Sequence, residues 1–157
     1  MLPEIEYRIA QAAIEFEDGR KLFEEYVASL GVDLSFQDFS KELQVIDRQY
    51  NQPEGALLLA YHDGVAIACA GVRKLDDSTA ELKRMYVRDG FKGQGIGVQL
   101  MQRSLQAARE QGYRKIRLDT LKTMIKAQAL YRSFGFYEIP SYRYNPLEGA
   151  VYMEKQL

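Results

Sequence analysis

A strand that runs into a cluster of glycines and emerges almost at once as a helix leaves a chain few folds to choose from. The stretch "VRDGFKGQGIGVQLMQ", Val87 to Gln102, is such a segment. Upstream, "TAELKRMYV" reads as a strand. Downstream, Gly97, Leu100, Met101, Ser104, Leu105 and Ala108 recur at helical spacing as an inward stripe, while Gln99, Gln102, Arg103, Gln106 and Arg109 face out. "KIRLDT" then reads as a second strand, between a helix from Gly95 to Glu110 and another from about Ile125 to Phe134. Strand, helix and strand in this order predict a parallel pair joined by a right-handed crossover.

The flanking sequence predicts an antiparallel meander. "ALLLAYH" and "VAIACAGVR" flank Asp63-Gly64, a strong hairpin signal, and "KLDDS" turns the chain into "TAELKRMYV". "EYRIAQA", Glu6 to Ala12, reads as an opening strand. Leu22, Phe23, Tyr26, Val27 and Leu30 give a helix stopped by Gly31. Ser35 with Asp38 resembles a capping box ahead of a second helix carrying Phe36, Phe39, Leu43 and Ile46. A strand near Tyr137, the loop "PSYRYNPLEG" and the strand "AVYMEK" end the chain. With 157 residues and 46% hydrophobic content, this predicts one α/β domain over residues 1–157 with a mixed, mostly antiparallel sheet.

Charge and cysteine content narrow the partners. Lys and Arg number 21 against 22 Asp and Glu, a net charge of -1 with no long block of one sign, which argues against nucleic acid or an anionic membrane as partner. Any bound anion must then be held locally. Cys69 is the sole cysteine and lies in an apolar run, so it reads as a packed strand thiol in a reducing compartment. The N-terminus "MLPEIEYRIA" lacks the basic start and apolar core of a signal peptide, and no run reaches transmembrane length, so a cytoplasmic location is expected. His62, the one histidine, reads as a loop residue beside the hairpin turn, and no metal site is expected.

Glycines between a strand and a helix N-terminus serve one of two ends. They let consecutive backbone N–H groups converge on a phosphate where the helix dipole favours negative charge, or they allow tight strand-to-helix packing. Gly93, Gly95 and Gly97 satisfy either by themselves. A P-loop is excluded because Val98 and Gln99 stand where Lys and Ser or Thr are needed, and the dinucleotide fingerprint fails at its third glycine.

"KGQGIG" instead fits the Arg/Gln-x-x-Gly-x-Gly/Ala pyrophosphate motif, and with "AELKRMYV", "KIRLDT" and "AQALYRSFGFYE" in the same order the chain resembles the GNAT acetyltransferase superfamily. The resemblance implies a sheet of about seven strands, splayed between the fourth and fifth, with about four helices. It implies acetyl-CoA as cosubstrate, with no metal, and a primary amine attacking its thioester directly in a ternary complex. Lys92 and Gly93 begin the motif, and the N–H groups of Gln94, Gly95, Ile96, Gly97 and Val98 would hold the pyrophosphate. Met85 and Val87 would pair with the pantetheine arm, and an amide at Met85 or Tyr86 would polarise the acetyl carbonyl. Glu81 stands at the position of the family's base, which acts directly or through water, and Tyr131 at that of the phenol that protonates the thiolate. Two positions depart from the pattern: Lys92 replaces the usual Arg or Gln, and Met124 a common Asn.

For the acceptor, the resemblance puts walls near the first helices, including Tyr26, and at "PSYRYNPLEG", where Tyr142, Tyr144 and Asn145 can hydrogen-bond or stack. A small amine or amino-acid-like acceptor is expected, a peptide amine being the alternative, and a homodimer stays open. Two other readings stand beside this one. The same fold can bind an acyl-CoA as a sensor without turnover, and a nucleotide-binding protein without acyl chemistry would need nucleoside triphosphate and magnesium.

Overall fold

The computed structural model describes residues 4–31, 33 and 38–157. In chain order its elements are β1 (Glu6–Ile9), α1 (Ala13–Leu30), α2 (Phe39–Gln44), α3 (Ile46–Gln49), β2 (Ala56–His62), β3 (Val65–Lys74), β4 (Thr79–Val87), a 3₁₀ turn (Asp89–Phe91), α4 (Ile96–Glu110), β5 (Lys115–Leu121), α5 (Ile125–Ser133), β6 (Tyr137–Ile139) and β7 (Ala150–Gln156). All seven strands share one sheet in the order β1-β2-β3-β4-β5-β7-β6. Every neighbouring pair is antiparallel except β4 and β5, which the α4 crossover joins in parallel.

The expected meander and crossover are present, with two local corrections. The opening strand ends at Ile9 instead of Ala12, because the Ala12 carbonyl already accepts the Glu15 and Phe16 amides that begin α1. The second helix is two short ones, α2 and α3, so the α-helices number five among the described residues. Val45 leaves helical geometry between them (φ -113°, ψ 19°), and its carbonyl starts α3 by accepting from Arg48 and Gln49 at 3.0 and 2.8 Å. The capping box on Ser35, and Phe36 with it, lie outside the described residues; Asp38 caps no amide with its side chain. The hairpin at Asp63-Gly64 takes the left-handed conformation at both residues (φ 49° and 76°), as a tight β-turn of this kind requires.

Strand alternation divides the buried residues between two cores. Ala80, Leu82, Ile116 and Leu118 face α4 and α5, meeting Leu100, Met101, Leu105 and Tyr131. Leu57, Leu59, Tyr61 and Cys69 face α1 and α3, meeting Phe23, Ile46 and Tyr50. Glu81 and Lys83 alternate with Ala80 and Leu82 and so lie on the α1 side of the sheet. Cys69 is fully buried; its thiol donates to the Arg84 carbonyl at 3.2 Å and is pushed up in pKa by desolvation, so it packs as an unreactive strand residue. No helix among the described residues is long and apolar enough to cross a membrane.

Candidate active site

β4 opens the site because it is bent and then left unpaired. Its ladder with β3 slips by one residue between Cys69 and Gly71, so that Arg84 and Met85 together oppose Ala70. Arg84 takes the bulge in the left-handed region at φ 57°, which costs an L-residue about 1–2 kcal/mol. The cost is offset by Glu42 of α2, which accepts from Arg84 Nη2 at 2.9 Å and Nε at 3.1 Å. On the other side, β4 pairs with β5 only from Thr79↔Lys115 to Glu81↔Arg117. Beyond Glu81 the two strands have parted.

A cleft of about 740 Å³ fills the opening. Its walls include Met85, Tyr86 and Val87 of β4, Tyr26 and Leu30 of α1, and Tyr131 of α5, and its floor includes Lys92, Gly93, Gly95, Ile96 and Gly97. Gly93 and Gly95 stand at φ +79° and +80°, and a Cβ on either would meet no atom within 4 Å. These two glycines serve the left-handed turns and access to the backbone. Gly97 is different: it is helical, and its Cβ would lie 3.5 Å from Leu130, an ordinary contact, so neither its dihedrals nor the space around it demands glycine.

From Gly93 to Val98 no backbone N–H donates to any group among the described residues, whereas Lys92 and Gln99 on either side donate to Asp89 and Gly95. Six consecutive amides, two left-handed residues and the start of a fifteen-residue helix form a nest for an anion. The buried Oε1 of Gln94 is also without a partner among the described residues. The residues present thus fit a pyrophosphate. Lys92 pairs with Asp89 at 2.8 Å on the exposed rim.

Tyr131 faces this cleft with its ring tilted against Phe136, centroids 5.9 Å apart, and its hydroxyl makes no hydrogen bond among the described residues. Burial, with Tyr26 and Asp119 adding to it, raises its pKa and keeps the phenol protonated. Tyr26 packs against Tyr86 at 5.7 Å.

Glu81 is placed otherwise than an open base would be. It is absent from the cleft wall, its side chain is 0% exposed, and its two oxygens are committed. Arg73 Nε donates to Oε1 at 2.9 Å, and the Tyr142 hydroxyl donates to Oε2 at 2.6 Å beside the Arg143 guanidinium. Burial alone would raise its pKa, but Lys83, Arg73, Arg143 and the Tyr142 hydrogen bond outweigh that and hold it at about 2. A carboxylate so held is a weak proton acceptor.

The loop residues do not gather into the cleft either. Tyr142 spends its hydroxyl on Glu81 and sets its ring against Tyr152 at 5.1 Å. Asn145 accepts from the Leu147 amide at 2.9 Å and reaches toward Asp119, while Tyr144 is 77% exposed. Of the expected acceptor residues, Tyr26 alone lies on the cleft wall.

Around Glu81 the structure assembles residues that local sequence did not mark: Glu42, Arg73, Lys83, Arg84, Asp119 and Arg143. Lys83 Nζ stands 3.8 Å from Asp119 Oδ1, across the gap where β4 and β5 part. Desolvation first, and Arg84 next, lower the Lys83 pKa to about 8. The alternation of "AELKR" already puts Glu81 and Lys83 on one face, but Glu42 and Asp119 reach them only through tertiary contacts. His62 keeps to the hairpin end, against Phe91, and no metal-binding group of three or more His, Cys, Asp or Glu occurs among the described residues.

Comparison with known proteins agrees with this architecture. Residues 19–136 match the model of the acetyltransferase (GNAT) family. An uncharacterized N-acetyltransferase of Schizosaccharomyces pombe is 36% identical over 145 residues, covering 91% of this chain and 89% of that one. N-acetylaspartate synthetase of Danio rerio is 33% identical over 136 residues, covering 78% of this chain and 48% of its own. Among solved structures, a GNAT acetyltransferase from Staphylococcus aureus superposes with a TM-score of 0.78 over 98% of this chain and 99% of that one; at 22% identity it speaks for the fold alone.

Proposed function

The chain belongs to the acetyltransferase (GNAT) family, and on that premise we propose that it transfers an acetyl group from acetyl-CoA to a small, amino-acid-like primary amine by direct attack in a ternary complex. The observation that carries this reading is the run of unpartnered amides from Gly93 to Val98, opening on the same cleft as Tyr131. When bound, acetyl-CoA supplies the activated thioester. The chain's own part is to receive the pyrophosphate on those amides and to offer the bulged main chain of Met85 to Val87 as an edge for the pantetheine arm. An amide at Met85 or Tyr86 serves as donor to the acetyl oxygen.

In the transfer the N–C bond forms as the C–S bond breaks. The amine gives up one proton to solvent, and the sulfur receives one from the Tyr131 hydroxyl, which solvent restores. Tyr131 suits this because its hydroxyl faces the cleft and makes no hydrogen bond among the described residues. Glu81 serves as a positioning residue that holds Tyr142 and Arg143 against β4, since its oxygens are taken and its pKa lies far below neutrality. N-acetylaspartate synthetase, named for an acetylated amino acid, supports an amino-acid-like acceptor, although this chain spans about half of that protein.

The test is release of free CoA from acetyl-CoA across a panel of amines. Release with at least one amine is expected. Tight CoA binding with no release for any amine would make the protein a sensor instead.

A further inference from the structure

Among the described residues that line the cleft, the charged side chains are Asp89, Lys92 and Lys126. Lys92 and Asp89 pair with each other on the rim at 2.8 Å, so neither brings spare charge to a ligand. Lys126, in the first turn of α5, enters no ion pair among the described residues. A helix N-terminus repels positive charge, and the first turn of α5 holds no acidic residue to offset it. The lysine is thus a small cost to its own helix, and an anion arriving in the cleft would reverse that cost.

Lys126 also stands across from the anion nest. It lies one turn ahead of Leu130 on α5, so the two side chains share a face of that helix. Leu130 is the residue that a Cβ on Gly97 would meet, and Leu130 and Lys126 line the same cleft as Gly93 and Gly95. A nucleotide bound there is approached from two walls, by the amides that open α4 and by the ammonium on α5. The six amides from Gly93 to Val98 are enough to take up a pyrophosphate, which leaves the phosphate on the ribose of CoA without a partner from the nest. A phosphomonoester of this kind carries about -1.5 to -2 charges at neutral pH. A lysine suits it, because an ammonium on a long stem acts as a point charge and needs no fixed fork geometry. Lys126 is exposed, as a contact at the mouth of the cleft would be.

We propose that Lys126 is a specificity residue of the cofactor cleft: its ammonium holds the ribose phosphate of CoA, and through it the protein distinguishes CoA from dephospho-CoA. The inference rests on the reading of this cleft as the CoA site, and it adds which end of the cofactor the chain recognises by charge. It holds whether or not an amine is acetylated, since it concerns binding alone.

Calorimetric titration of the wild type and of Lys126→Gln, each with CoA and with dephospho-CoA, tests this. The wild type should bind CoA about tenfold more tightly than dephospho-CoA. Lys126→Gln should lose about tenfold in affinity for CoA and bind dephospho-CoA as the wild type does. The two losses should therefore not add, as expected of two groups in contact. Added salt should weaken CoA binding more in the wild type than in the variant. Without ligand, the Tm of Lys126→Gln should equal or exceed that of the wild type, because α5 sheds an unfavourable charge. A variant that keeps the preference for CoA would overturn the proposal. So would a variant that weakens both ligands equally, which would assign Lys126 to the pyrophosphate. If the wild type binds neither ligand, the cofactor reading fails and this inference with it. If the wild type binds both alike, the cofactor reading stands and only the role given to Lys126 falls.

Discussion

Replacing Glu81 by Gln removes one negative charge from a site where three cations depend on it, and the structure gives the size of the effect. The carboxyl is displaced from its ordinary pKa of 4.5 to about 2, which corresponds to about 3 kcal/mol of native-state stabilisation at neutral pH. Because the folded value is the lower one, this contribution is fully present above pH 4.5 and is lost as pH falls towards 2. By linkage, about 2 kcal/mol of it is gone at pH 3. At pH 7 the variant leaves Arg73 and Arg143 against a neutral amide, and breaking buried pairs of this kind costs about 3–5 kcal/mol. For a domain of this length that is a fall in Tm of roughly 6–20 °C. Urea unfolding of both proteins at pH 7, 5 and 3 measures it. The wild type should lose about 2 kcal/mol more than the variant between pH 7 and pH 3, as carboxylates remote from this cluster contribute equally to both. A variant within about 1 kcal/mol of wild type at pH 7, with the same acid dependence, would refute the account of Glu81 as a locked anchor. A stable variant whose turnover falls selectively at low pH would restore Glu81 as the base.

Three further outcomes are expected. Gly95→Asp should fold with a loss of about 1–2 kcal/mol, because its Cβ enters open space at a left-handed φ, yet CoA should no longer raise its Tm; an intact CoA shift in thermal unfolding would contradict the anion nest. Tyr131→Phe should lower kcat by about 10²-fold or more with little change in the KM for acetyl-CoA, and an unchanged kcat would make Tyr131 a packing residue. Gly71→Ala drives a methyl to 2.5 Å from the Tyr50 ring, whose hydroxyl donates to Glu42 at 2.9 Å; the variant should lose about 1–3 kcal/mol of unfolding free energy in urea, and a neutral result would show that Tyr50 yields freely.

What local chemistry writes into a chain was legible in this one. The Asp63-Gly64 hairpin, the helical stripe from Leu100 to Ala108 and the glycine loop each depend on residues within a few positions of one another, and each lies where periodicity and turn chemistry predict. Even so, the sequence could not decide whether Gly93, Gly95 and Gly97 serve packing or an open backbone, because what a Cβ would meet there depends on residues as distant as Leu130, 33 positions beyond Gly97. The break at Val45 was hidden for a similar reason: apolar spacing from Phe39 to Ile46 suits one helix or two, and the backbone settles it. The surroundings of Glu81 were decided by tertiary structure alone. Glu81 was marked by its place on the strand, but whether it is an open base or a held anchor depends on Arg73 from β3 and on Tyr142 and Arg143 from a loop about sixty residues later. Charge balance in a buried cluster is a sum over groups far apart in sequence, and only the fold specifies which groups enter it.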